Sequence, residues 1–263
     1  MLTRKSVRET LDIAIFAGQI MLENGAETYR VEETIERICS SRGLKNVHSF
    51  TIPTGIFMSC TFEGHDFSYV RRMKAIIIDL HIISMVNAFS RQFVTEEIPY
   101  EDAMARLKTI KHAPHYPPLL QFFSGGIAGG FFAVIYGGNA LEALLAFVTS
   151  FMVVVTVYLI SKKTRAFFLK NLGGGMINTT LAILLTQGFN HFGVYPDTNI
   201  VIIGAVMPLV PGVSITNALR DTISGDFVSG MSKIAEAFGI ALAIALGVVT
   251  VLQANLLLTG GVL

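Results

Sequence analysis

The chain has 263 residues, 52% of them hydrophobic, and a formal net charge of +1. That balance excludes a nucleic-acid-binding surface, because nothing forms a basic face with stacking aromatics. The averages hide a division: 14 of the 20 Lys+Arg and 14 of the 19 Asp+Glu precede His112. Residues 1–116 therefore read as a polar domain of mixed charge, and residues 117–263 as a membrane domain.

The head comes first. Residues 6–22 carry Val7, Leu11, Ile15 and Met21 at helical spacing, which predicts an amphipathic helix. Asn24-Gly25 is a stop-and-turn signal. Residues 26–41 predict a second helix with Val31, Ile35 and Ile38 on one face, ended by Gly43. Its opening stretch, Glu27-Thr28-Tyr29-Arg30-Val31-Glu32-Glu33, is dense in charge and follows Glu23. It reads first as a solvated helix face and second as a functional carboxylate cluster. From Asn46 to about Arg71, β-branched and aromatic runs alternate with turn material at Pro53-Thr54-Gly55 and Glu63-Gly64-His65-Asp66, which predicts strands. Residues 79–92 and 99–110 return to helical spacing, and the prolines between His112 and Pro118 make a linker. The head is thus a small cytoplasmic α+β domain. Cys39 and Cys60 read as reduced core thiols. Glu9, Asp12 and Gln19 interrupt the apolar stretch after Arg4, Lys5 and Arg8, which argues against a cleavable signal peptide. His48, His65-Asp66 and His112/His115 lack companion ligands at recognisable spacing, so no metal is expected. Without a nucleophile elbow, phosphate loop or dinucleotide fingerprint, no cofactor is expected either.

Five apolar spans follow, at about 119–136, 140–160, 172–192, 200–219 and 237–258, each near the roughly 20 residues that cross a bilayer. Gly125, Gly126, Gly129 and Gly130 in the first form small-xxx-small pairs that let another helix approach closely. In the third, Asn178, Thr179, Thr186 and Asn190 are polar residues that either line a pore or hydrogen-bond to other helices. Gly173-Gly174-Gly175 opens it for close packing or a hinge. The fourth span breaks at Pro208, Pro211 and Gly212, which frees backbone polar groups inside the membrane. Carriers use such discontinuous helices to build binding sites and gates; the other reading is a structural kink with no ligand.

Polar residues follow the break at once. Ser214, Asn217 and Asp221 share a helical face, and Arg220 is offset from Asp221 by about 100°, so the two charges find separate partners. A charge at a helix centre costs roughly 2.5–3.5 kcal/mol on an insertion scale and usually faces a bundle interior or a water-filled path. Ser214, Asn217, Arg220 and Asp221 are therefore the candidate substrate- and ion-binding residues. Arg220 suits a carboxylate, and Asp221 an ammonium group or a coupling proton. The other reading makes both charges cytoplasmic interface groups, paired or snorkelling. Gly225 turns the chain, Asp226 caps the next helix, and Lys233 and Glu236 sit at ion-pair spacing. Lys162, Lys163, Arg165 and Lys170 between spans two and three place the head inside and the C-terminus outside.

In order, a head carrying NGAETYRVEETI, a TIPTGIF segment, five spans and MPLVPGVSITNALRDTISGD resemble the threonine/serine exporter family of bacterial and fungal membrane proteins. The resemblance covers nearly the whole chain. It implies a secondary carrier of the bacterial cytoplasmic (inner) membrane that exports small amino acids or, in some members, dicarboxylates such as succinate. Fused members carry a second membrane half, whereas split members pair with a separate short membrane protein. This chain stops after its fifth span. A four-to-five-span partner, and an oligomer, are expected, with the glycines of span one as one contact face. The leading expectation is alternating access around the broken fourth span, driven by an ion gradient since no ATP-binding motif is present. Two alternatives stay open: a membrane-anchored hydrolase with a catalytic head, and a non-transporting subunit of a membrane complex.

Overall fold

A computed structural model describes residues 3–73, 77–164 and 166–259; Arg165 of the basic loop lies outside them. In chain order the helices are α1 (Arg4–Glu23), α2 (Thr28–Ser41), α3 (Leu80–Thr95), α4 (Tyr100–Lys111), α5 (Pro118–Ile135), α6 (Ala140–Lys163), α7 (Phe167–Asn190), α8 (Thr198–Val206), α9 (Gly212–Ile223) and α10 (Phe227–Thr259). Three strands, β1 (Val47–Ile52), β2 (Gly55–Phe62) and β3 (His65–Arg72), separate α2 from α3. The chain divides into two compact units, Met1–Pro114 with Gly212–Ala235, and His115–Pro211 with Glu236–Leu263.

The first unit is built on the amphipathic patterns of the head. A Thr3/Ser6 capping box starts α1, satisfying backbone donors that have no intrahelical acceptor. The helix then buries Val7, Leu11, Ile15 and Met21. On α2, Val31, Ile35 and Ile38 are fully buried, while Glu33 and Glu36 face solvent. A Cβ placed on Gly18 of α1 would fall 2.8 Å from Ile35 Cδ1, so the two helices pack closely there. The strands form an antiparallel sheet in the order β1-β2-β3, closed by two-residue turns at Pro53-Thr54 and Glu63-Gly64. Ile56, Met58 and Cys60 alternate inward and Phe57, Ser59 and Thr61 outward, the period-two pattern of a sheet with one covered face. Cys39 and Cys60 are free and buried, and burial pushes the Cys39 thiol up to about 12.

The boundary between compact units differs from a division at residue 116. Residues Gly212–Ala235, which sequence reading places with the spans, group with the head. The reason is a set of long-range hydrogen bonds described below.

In the second unit, α5 and α6 meet through glycine. A Cβ on Gly125 would fall 2.5 Å from Val154 Cγ2, and one on Gly129 2.5 Å from Ser150 Cβ. Ser150 Oγ donates to the Gly125 carbonyl at 2.9 Å. Gly126 and Gly130 likewise lie against Phe147 and the Ala143 carbonyl, so α6 occupies the glycine face that the sequence suggested for a partner. Gly175 of α7 packs on α10, where an added Cβ would sit 2.5 Å from the Ile244 carbonyl oxygen; close packing is therefore the use of the Gly173–Gly175 run. The start of α6 is held by an Asn139/Glu142 capping box, and the buried Glu142 also accepts the Asp197 N–H at 2.8 Å.

After α8 the chain makes a 3₁₀ turn at Met207–Leu209, becomes extended at Val210 and resumes as α9. Among the described residues, three helices (α5, α6 and α10) are long and apolar enough to cross a membrane, or four crossings if the bent pair Thr198–Leu209 and Gly212–Ile223 is one span. This supports a membrane protein. The 24 residues of α7 have the length, but Lys170, Asn171, Asn178, Thr179, Thr180, Thr186, Gln187 and Asn190 dilute its apolar character.

Candidate functional site

The site starts at the turn between α1 and α2. Gly25 adopts a positive φ of 83°, a conformation that costs glycine little. Its carbonyl accepts a 2.8 Å hydrogen bond from Asn217 Nδ2 on α9. Glu27 occupies the N-cap position of α2 without using its side chain as a cap. The carboxylate instead lies between two guanidinium groups, accepting from Arg220 at 2.6 Å and from Arg30 at 3.2 Å.

Thr28, the first helical residue of α2, is completely buried. Its N–H donates to Asp221 Oδ1 at 3.3 Å, and its hydroxyl donates to Asp226 Oδ2 at 3.0 Å. Asp221 therefore supplies from 193 residues away the acceptor that a helix N-terminus usually takes from its own N-cap side chain, at the electropositive end of the helix. The other Asp221 oxygen accepts from Lys233 Nζ at 2.7 Å. Asp221 is 0% exposed and Lys233 7% exposed, so this is a buried ion pair with further hydrogen bonding to the carboxylate.

The turn that presents these residues is itself well determined. Asp226 N–H reaches the Asp221 carbonyl at 2.8 Å and Gly225 N–H reaches Thr222 at 3.1 Å. With Gly225 at φ 94°, this is the Schellman ending of a helix. The Asp226 carbonyl accepts the Gly230 N–H, leaving the Asp226 side chain for Thr28 rather than for its own helix. Gly230 lies so close to Thr222 and the Ala218 carbonyl that a Cβ there would collide with them. Ser229 Oγ donates to the Thr51 carbonyl on β1 at 3.4 Å, and Thr51 N–H donates to Glu32 Oε1 at 2.7 Å. One polar cluster thus joins α2, β1, α9 and the start of α10.

The carboxylates in it differ. Burial pushes Glu27 up, but its backbone N–H and the guanidinium groups of Arg220 and Arg30 outweigh that and hold it below the usual range. Its ionised form therefore supports the fold above the ordinary carboxylate pKa, and that support is lost only as pH falls through the lowered value. Glu32 goes the other way, pushed up to about 7 by burial first and then by Asp226, Glu36 and Asp221, against the bond from Thr51 N–H.

A family model described as “Putative threonine/serine exporter” matches residues 12–255. The chain belongs to the threonine/serine exporter family. This is a family of transporters, not of enzymes. The family member is 24% identical over 253 residues to “Threonine/serine exporter” from Corynebacterium glutamicum, covering 92% of this chain but 51% of that protein. It is 24% identical over 242 residues to “Probable succinate transporter subunit YjjP” from Klebsiella aerogenes, covering 92% of each. A Mycobacterium tuberculosis “Probable threonine/serine exporter” matches over 46% of its length. The chain thus spans about half the length of two of these relatives and nearly all of the one named as a subunit. No solved structure matches.

In this exporter-family chain, Asn217, Arg220 and Asp221 come together with the head, and Arg220 and Asp221 do take separate partners. Ser214 is half-buried one turn earlier on α9. Pro208 lies in the 3₁₀ turn and Pro211 just before α9. A Cβ on Gly212 would meet nothing within 4 Å, so close packing does not require glycine there. In α7, Asn178, Thr179 and Thr186 are fully buried. Asn178 Nδ2 donates to the Ile202 carbonyl of α8 at 3.1 Å, Thr179 donates to Gly175, and Thr186 bonds Ala182 and the Thr198 hydroxyl. Asn190, with its amide turned to satisfy its neighbours, donates to the carbonyls of Val194 and Thr186. Lys233 reaches Asp221, where sequence spacing pointed to Glu236. Among the described residues no group of three or more metal-ligating side chains gathers.

Sequence reasoning missed the importance of Glu27 and Thr28. Both are buried, so the solvated-face reading fails for the first turn of α2, although Glu33 and Glu36 fit it. The available signal was the sign of the charges: an acidic helix start in one motif and an Arg-Asp pair in the other.

Proposed function

We propose that this chain is the head-bearing part of a secondary active exporter of threonine- or serine-like amino acids or related small carboxylates. The observation that carries the reading is the contrast within the cluster. The Asp221–Lys233 pair is sealed, whereas the Arg220 side chain is 61% exposed while it holds Glu27. An exposed guanidinium bound to one carboxylate can exchange it for another of suitable shape. In this reading a substrate carboxylate competes with Glu27 for Arg220, and Asn217 and Asp221 fix α9 for that exchange. Ser214, one turn before Asn217 on the same face, is the further substrate contact. Alternating access then works across the Pro208–Gly212 break, with an ion gradient as the energy source.

In this reading the chain crosses the bacterial inner membrane five times, with α7 as the crossing of mixed polarity, and the head and Lys162, Lys163 and Lys170 are on the cytoplasmic side and the C-terminus outside. The polar residues Asn178, Thr179, Thr186 and Asn190 lie beside the broken span and line the path when the helices part. The name of the Klebsiella relative and the half-length match to the Corynebacterium protein support a separate membrane partner of four or five spans.

Counterflow of labelled threonine, serine and succinate into liposomes tests the reading, with this chain alone and together with the partner. Arg220→Ala should abolish exchange of the transported substrate while the folded protein remains in the membrane. Wild-type exchange by that variant would remove Arg220 from the mechanism. No exchange of any of the three compounds by the complete complex would sink the exporter reading for this chain.

A further inference from the structure

Glu32 stands in the cluster without the role given to its neighbours. Glu27 is matched by Arg30 and Arg220, and Asp221 by Lys233. Asp226 accepts the neutral Thr28 hydroxyl, and Glu32 accepts the neutral Thr51 N–H. The groups around Glu32 can be taken element by element. Glu36 lies one turn on along α2 and Thr51 on β1. Asp221 comes from α9 and Asp226 from the turn before α10. Ser229 and Lys233 come from α10, the lysine already committed to Asp221. The charges that act most on Glu32 are therefore acidic: Asp226, Glu36 and Asp221. Thr51 adds an independent feature. It is 1% exposed and its hydroxyl oxygen has no hydrogen-bond partner among the described residues. A buried hydroxyl left unsatisfied is costly, and it belongs to the same residue whose N–H holds the Glu32 carboxyl.

We infer that Glu32 is a proton-binding site of the head whose protonation clasps the α9–α10 hairpin onto α2 and β1 and whose ionisation loosens it. The inference rests on the exporter reading only for its consequence, that cytoplasmic pH sets how readily α9 leaves the head. The clasp itself needs no substrate. In the protonated state the carboxyl keeps the Thr51 N–H bond, gains a donor and adds no charge opposite Asp226 and Asp221. In the ionised state a further, half-buried negative charge faces two aspartates of the hairpin. The sign follows: a carboxyl whose pKa in the docked state is about 7, against 4.5 ordinarily, favours docking below 4.5, and this support fades as pH rises through about 7.

Hydrogen exchange of the purified full chain in detergent measures this directly, after correction for intrinsic exchange rates. Protection of the amides of residues 212–235 should fall about tenfold between pH 6 and pH 8 in the wild type, the change linkage gives for one proton at these two pKa values. Glu32→Gln keeps the acceptor for Thr51 and cannot ionise, so its protection should stay high and change less than about twofold over the same range. Asp226→Asn removes the leading acidic neighbour and should move the midpoint to lower pH. PH-independent protection in the wild type, or an unchanged pH dependence in Glu32→Gln, would overturn the proton site. Because no transport is measured, a pH-sensitive clasp in a chain whose complete complex is inactive in counterflow would refute the exporter reading alone. Active counterflow with a pH-insensitive clasp would refute only the proton site.

Discussion

The two compact units bury polar side chains in different ways. In the unit of α5–α8, several buried polar groups bond within their own helix or to a neighbouring one, while Thr149 Oγ1 and Asn178 Oδ1 have no partner among the described residues. Thr179 and Thr186 bond carbonyls one turn back, Asn178 reaches the adjacent α8, and Glu142 closes a capping box. In the head unit, Asp221, Asn217 and Arg220 are satisfied by residues some 190 positions away in sequence. Local bonds form with the helix and persist while it lasts. Long-range charged bonds persist only while two separate segments stay together, which makes the second cluster the one suited to switching.

That comparison can be broken most directly at Asp221. Asp221→Asn leaves Lys233 buried without its counter-charge and should cost about 3–5 kcal/mol of stability, read as unfolding of the full chain in detergent. Adding Lys233→Met should recover much of the loss, since apolar replacement of a whole buried pair is often neutral or better. A single variant as stable as the wild type would show that the pair is not sealed. A smaller effect is expected where glycine sets the spacing of α7 and α10. Gly175→Ala drives a methyl into the Ile244 carbonyl and should cost about 1–3 kcal/mol. Smallest of all should be Thr179→Val, below about 1 kcal/mol. This residue is as buried as Asp221, but it loses only a hydroxyl bond to a carbonyl of its own helix. Equal losses for Thr179→Val and Asp221→Asn would erase the distinction between the units.

Much of the fold was legible without coordinates because helices, strands and turns follow from short-range periodicity. The stripes of α1 and α2, the alternation in β2, the turns at Asn24-Gly25 and Gly225, and the interruption between Val206 and Gly212 all rest on residues within a few positions of each other. The polar face of α9 was legible for the same reason. Its partner was not. Periodicity tells which side of a helix is polar but carries no information on what that side meets.

The amino-acid sequence by itself determined the elements, the division into a charged head and apolar helices, and two motifs rich in charge. Only the tertiary structure decided that these motifs are one site, with Asp221 and Asp226 on the N-terminus of α2, and that the glycines of α5 are used by α6. The physical reason is that pairing across 193 residues depends on how the intervening segments pack, and the local forces that shape a helix or a turn do not reach that far.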